Sequence, residues 1–138
     1  MNVYPTRAVR DHKWKLIHNL HPEFAFTNHP DLHQKVGAGA FWPEWVALSK
    51  TDTGAKEIVT RYYKRPEWEL YHLETDKWEL KNLASDPIHK KRLQQMQLTL
   101  EDWIESQGDQ LPVANTPRLL SDRSSWDPDL FDERPSKK

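Results

Sequence analysis

Any chemistry in this 138-residue chain has to come from histidines, carboxylates or a serine, because the sequence contains no cysteine. That absence removes a disulfide framework, a thiolate nucleophile and a thiolate-ligated metal together. Histidines keep a metal in view. His29 and His33 stand four apart, the spacing at which two imidazoles leave one side of a helix and can share a zinc ion. No acid of the H-E-x-x-H type lies between them, however, and Pro30 puts His29 at or before a helix start. His18 and His21 straddle the end of an expected strand, a poor platform for shared ligation. Loop and surface histidines are the plainer account. There is no G-x-S-x-G elbow and no glycine-rich phosphate loop. Glu67, Glu69, Glu74 and Asp76 could supply an acid–base pair on spacing alone, but carboxylates crowded around a turn are expected to be solvated charges.

The elements that would position these groups are few. Tyr4 to Arg10 and Lys13 to Leu20 read as two strands joined by a turn. In the second, Trp14, Leu16, His18 and Leu20 share one face by the period of two, with Lys13, Lys15, Ile17 and Asn19 on the other. A two-stranded hairpin is marginal by itself, so a further strand has to complete it. Glu67 to Leu73 supplies one, and Glu74 to Lys77 is a turn. A helical pattern restarts over Pro43 to Lys50, and Ile58, Val59, Tyr62 and Tyr63 suggest another helix ending by Pro66. Asp86 followed by Pro87 is an N-cap with proline at the first helical position. From there Leu93, Met96, Leu100, Trp103, Ile104 and Gln107 follow the spacing of one helical face, and Gly108 supplies the stop. The expected fold class is α+β: a small antiparallel sheet with a C-terminal amphipathic helix packed on it, followed by an irregular tail.

Length fits one domain. Formal net charge is −1, so no global field points to nucleic acid or to an anionic membrane. No apolar run approaches the ~18 residues of a membrane span, and the start MNVYPTRAVRDHKWK lacks the apolar stretch of a signal peptide. Localisation stays open. Mean hydropathy is −0.93, low for a self-sufficient domain, while seven tryptophans offer large apolar surfaces. A polar chain with a few large aromatics reads as a layer packed against something else.

The segments Tyr4-Pro-Thr-Arg-Ala-Val-Arg10, Lys15-Leu-Ile-His-Asn-Leu20, Tyr62-Tyr63, Arg65-Pro-Glu-Trp-Glu-Leu-Tyr71 and Glu79-Leu-Lys-Asn-Leu-Ala-Ser-Asp-Pro87 follow in an order that resembles the C-terminal region of formylglycine-dependent sulfatases. The heparan N-sulfatase (sulfamidase, N-sulfoglucosamine sulfohydrolase) branch is the most alike. The motif residues that carry the likeness are Trp68, Leu70, Tyr71, Glu79, Asn82, Leu83, Asp86 and Pro87. One departure is visible: the family usually writes Asp-Pro where this chain has Asp76-Lys77.

The resemblance implies a sulfatase C-terminal subdomain over residues 1–108, with strands near 4–10, 13–20 and 67–73 and a helix near 87–107. Residues 109–138 are then an extended or disordered tail. It also implies that the nucleophile motif C/S-x-P-x-R, its formylglycine and a calcium ion belong to a separate catalytic domain, and no cofactor is expected in this chain. Ser85-Asp-Pro-Ile-His89 has His where that motif needs Arg, and reads as a helix cap. The chain alone is expected to be inactive, and to pair with a sulfatase catalytic domain in cis or in trans while helping to wall its substrate cleft. A sulfated glycan would be anionic, which makes Arg7, Arg10, His12, Lys13 and Arg65 candidate substrate contacts; ordinary surface charge is the blander account of each. Two competing classes are a stand-alone binding module for sulfated carbohydrate and a small metal-dependent protein using the histidines. Trp14, Trp68, Trp78 and Trp103 could stack on sugars, although such residues more often form core or interface.

Overall fold

The computed structural model describes residues 4–26 and 41–109. The His29/His33 pair, the helix start at Asn28 to Pro30 and the tail from residue 110 lie outside these residues. Strands β1 (Thr6–Arg10), β2 (Trp14–Asn19) and β3 (Trp68–His72) and helices α1 (Trp42–Leu48), α2 (Thr53–Tyr63) and α3 (Lys90–Ser106) make up the regular structure, with a 3₁₀ turn over Pro87–His89. The chain divides into two compact units. Among the described residues, 5–20 and 66–109 form one, and 4, 21–26 and 41–65 the other.

The first unit is an antiparallel sheet in the order β1-β2-β3. Asp11 builds the first turn: its Oδ1 accepts from the backbone N–H of Lys13 and of Trp14, each at 2.7 Å. These bonds, the one from Lys13 foremost, hold the Asp11 carboxyl below the usual carboxylate range. The turn fixes the register, with Arg10 opposite Lys15 and Val9 opposite Leu16. β2 then pairs with β3 from Trp14 opposite His72 to His18 opposite Trp68.

Because side chains alternate along a strand, Trp14 and Leu16 of β2 and Leu70 of β3 point to one face. α3 covers that face. Trp14, Leu16, Leu70, Leu83, Met96, Leu100 and Ile104 form its core, with Val9, Trp68, Ala84 and Leu93 packed around them. The expected helical face also held Trp103 and Gln107, and both are exposed, Trp103 at 50%. At 3.6 residues per turn Trp103 lies about 80° around the helix from Leu93, at the rim of the buried stripe. Gln107 lies past the last helical turn as the C-cap. The single helix expected over 87–107 starts instead as the 3₁₀ turn. Asp86 Oδ1 accepts from Ile88 N at 2.9 Å there, which assigns the Ser85-Asp-Pro segment to a helix cap. At the other end Gly108 takes φ 65°, a left-handed conformation that glycine adopts without cost. Arg7 of β1 makes a bidentate pair with Asp109, Nη2 to Oδ1 at 2.8 Å, so the residue after this stop is tied to the sheet.

The second unit packs α1 and α2 around Trp42, Val59 and Tyr63. Pro43 sits in the first turn of α1, where its missing N–H costs nothing. Asp52 caps α2 by accepting from Ala55 N at 2.7 Å. Trp42 Nε1 donates to the Tyr63 hydroxyl at 2.7 Å, which satisfies both polar tips inside an aromatic cluster. Phe26 docks on the same cluster through its N–H to Tyr63 O, and Arg65 places its guanidinium 4.4 Å from the Phe26 ring centroid.

Candidate functional site

Residues 73–89 leave the end of β3 and return along its outer edge, and the motif residues explain how. Asn82 acts as a substitute strand. Its Oδ1 accepts from Leu70 N and from Ala84 N, both at 2.9 Å, and its Nδ2 donates to Trp68 O at 3.0 Å. Leu83 N then donates to Leu70 O at 2.8 Å and drops its side chain into the core. The backbone groups that an edge strand leaves unpaired are thereby used. Asp76 shapes the approach by accepting from Leu80 N and Lys81 N, and Glu79 turns the chain with φ 54° while pairing with Lys15 at 2.7 Å. The sequence Trp-Glu-Leu occurs twice, at 68–70 and at 78–80, and the two copies do unlike work. Trp68 and Leu70 are sheet residues, whereas Trp78 is 73% exposed on the loop.

Of the cations singled out from the sequence, those of the sheet unit do not share one face. Arg7 faces α3 and is engaged by Asp109, while Arg10, three positions on, belongs to the opposite face of the sheet. Arg10, His12 and Lys13 are exposed, and Lys13 lies 3.5 Å from Glu74. Arg65 belongs to the second unit, over Phe26. Of the tryptophans considered for sugar stacking, Trp14 is core, and Trp68 stacks on His18 at 3.8 Å and 10°.

Glu69 corrects the expectation of a solvated carboxylate. It is 4% exposed on the sheet face away from α3, where it accepts from the Tyr71 hydroxyl and from Asn19 Nδ2 at 2.7 Å. Asn19 Nδ2 also donates to Pro66 O at 2.7 Å. A buried carboxylate survives only with such donors. Asn19, from a strand position that pattern alone marks as an outer face, is fully buried. Glu67 and Glu74 are exposed, as expected.

Among the described residues His18 is the histidine whose titration is shifted. Burial is the first cause and pushes its imidazole below the usual range, against Glu67 at 3.7 Å, which favours the charged form; Arg7 and Glu101 complete its charged surroundings. A base depressed in the folded state lends stability that is present above its unfolded pKa and lost as pH falls through the folded value. Stability of the sheet unit therefore drops on acidification below about pH 6.5, the ordinary histidine value. Urea melts of the wild type and of His18→Phe, which keeps a ring against Trp68, should converge at high pH, with the wild type losing more in acid. A wild type as insensitive as the variant would contradict this.

At the end of the sheet, beside the β1–β2 turn, a cleft of about 530 Å3 opens between β3, the 73–83 loop and the 3₁₀ turn. Trp14 forms its floor. His72 meets the indole edge-on at 4.5 Å and His89 tilts over it at 5.3 Å. Thr75, Asp76, Lys81 and Leu83 complete the wall. Thr75 Oγ1 bonds His72 Nδ1 at 2.9 Å and fixes that ring. Arg92 sits 5.5 Å from the Trp14 centroid. No sequence pattern marks this cleft, because residues 14, 72, 81 and 89 are brought together by the fold alone. Among the described residues no three His, Asp or Glu side chains converge as metal ligands, and no helix is long and apolar enough to cross a membrane.

A sheet with one helix across a face, its outer edge stitched by an Asn-Leu loop, defines a small α+β module of the kind that the motif residues suggested. No family model matches the chain. An ulvan-active sulfatase of Formosa agariphila is 29% identical over 94% of the chain, and a second from that organism is 26% identical over 78%. The human N-sulphoglucosamine sulphohydrolase is 30% identical over 72% of it. The chain is a relative of the sulfatases. It spans about a fifth of the length of the curated relatives it matches, between 18% and 22%.

Proposed function

We infer that the chain is the C-terminal, non-catalytic portion of a sulfatase that hydrolyses sulfuric esters or N-sulfates of glycans such as heparan sulfate. In this reading residues 1–108 are the subdomain and 109–138 its tail. The module packs on the catalytic domain, in cis or in trans, and helps to shape the substrate cleft. Calcium and formylglycine belong to that other domain. The observation that carries the reading is the shape of the matches: 94% and 72% of this chain against 22% and 20% of relatives that are themselves a sulfatase and a sulphohydrolase. Arg10, His12, Lys13 and Arg65 are the cations offered for contact with substrate or partner, and Arg7 belongs to the fold through Asp109.

The test begins with the coding sequence next to that of this chain. An adjacent sulfatase catalytic domain with the C/S-x-P-x-R motif should co-purify with the chain at equal stoichiometry and show desulfation of a sulfated glycan that the chain alone does not. An unrelated flanking sequence, or desulfation by the chain alone, would overturn the reading.

A further inference from the structure

We propose that residues 111–115, Leu-Pro-Val-Ala-Asn, add a fourth strand to the sheet, parallel to β1 and on its open side. Hydrogen bonds define that side. Leu20 N donates to Pro5 O and Asp11 N to Trp14 O, so by the period of two residues 5, 7, 9 and 11 bond toward β2. Thr6, Ala8 and Arg10 therefore turn their backbone groups outward, and all three residues are exposed. Among the described residues the partner on that side is the Arg7 side chain, whose Nη1 donates to Thr6 O at 3.1 Å. An edge of this kind is a template for a further strand.

Three independent features point to the segment that follows α3. The first is position. Arg92, in the first turn of α3, sits 5.5 Å from the Trp14 centroid, by the β1–β2 turn. Asp109, just past the other end, pairs with Arg7 near the start of β1. α3 thus carries the chain back across the sheet and delivers it to the beginning of the open strand. A strand continuing from there runs with β1. It also runs with β3, since β1 and β3 are each antiparallel to β2, and parallel strands need a long connection such as the one through α3. The second feature is Pro112, which has no N–H and fits an edge strand only where that position faces away from the ladder. With Pro112 turned outward, Leu111, Val113 and Asn115 turn toward Thr6, Ala8 and Arg10. The third is apolar character. In a parallel pair the residues that bond to each other carry their side chains on opposite faces. Ala8 belongs to the face away from α3, so Leu111 and Val113 come to the α3 face, beside Val9, which the core covers only in part. Antiparallel pairing of the same residues would put both on the other face.

Amide hydrogen exchange of the full chain, read by NMR, is the experiment. Ala8 and Arg10 should exchange at least about tenfold more slowly than open amides, the scale of one net hydrogen bond. Val113→Pro removes an inward donor and should return both amides to the open rate. Ala114→Pro, at an outward position, should leave them protected. Val9, which bonds toward β2, reports in each variant that the sheet itself is intact. Open-rate exchange of Ala8 and Arg10 in the wild type overturns the proposal, and so does protection that survives Val113→Pro. Protection that grows with protein concentration overturns it as well, since that is the mark of pairing between two copies.

Discussion

Replacing Leu100 by alanine is expected to destabilise the sheet unit by about 3 kcal/mol, within the range of about 2–5 kcal/mol for emptying a buried leucine site. Leu100 is 1% exposed at the middle of α3, in one cluster with Leu16 and Leu70, both fully buried. Met96 and Ile104, one turn to either side, share that cluster, and the ends of α3 are held by the Asp86 cap at one and the Arg7–Asp109 pair near the other. The cavity therefore opens at the centre of the contact between helix and sheet. A domain of this size holds roughly 5–15 kcal/mol in total, so the loss is a large share. Urea unfolding followed by far-UV circular dichroism should show a lower midpoint with an unchanged slope. Leu98→Ala, on the exposed side of the same helix at 61%, is the control and should change stability by less than about 0.5 kcal/mol.

The second large effect is expected from Asn82→Ala, at about 2–4 kcal/mol. The substitution removes three side-chain hydrogen bonds, to Leu70 N, Ala84 N and Trp68 O. Each is worth roughly 1 kcal/mol net, and the Leu70 N–H loses its partner beside a core residue, which adds a desolvation cost. Asn82→Asp separates the contributions: it can still accept from both amides but cannot donate to Trp68 O. Its stability should fall between those of wild type and alanine. Hydrogen exchange at Leu70 and Ala84 reads the effect locally, and wild-type protection of both amides in Asn82→Ala would contradict the assignment.

These two positions mark how far the sequence could be read. Leu100 was legible because helical spacing reports burial wherever one face meets a core. The same rule overreached at Trp103, since periodicity locates the middle of a stripe better than its margin. The hairpin was legible through Trp14 and Leu16, and the last helix through Asp86-Pro87. Asn82 was visible only as part of a motif. Its reason lies in the groups on β3 that it meets twelve to fourteen positions away, which no local pattern encodes. Glu69 was misread for a similar cause, because a carboxylate among carboxylates looks solvated until Asn19 and Tyr71 are placed beside it. The cleft drew on four separate segments and carried no sequence signal. Of the imidazoles that line it, His72 stood in no motif and His89 figured only where the nucleophile motif needs Arg, whereas the fold presents the faces of both rings to Trp14.

The sealed flank of β3 gives this small sheet a direction. With Asn82 and Leu83 occupying one side, a further strand can be added among the described residues only beside β1, at Thr6–Arg10. That side carries Arg7 and Arg10, on opposite faces. Arg7 is already answered by Asp109, so Arg10 is the exposed charge of the two, and a charge on an open edge discourages self-pairing and strand exchange. Among the described residues the sheet can thus grow at one side only, and a charge stands on that side.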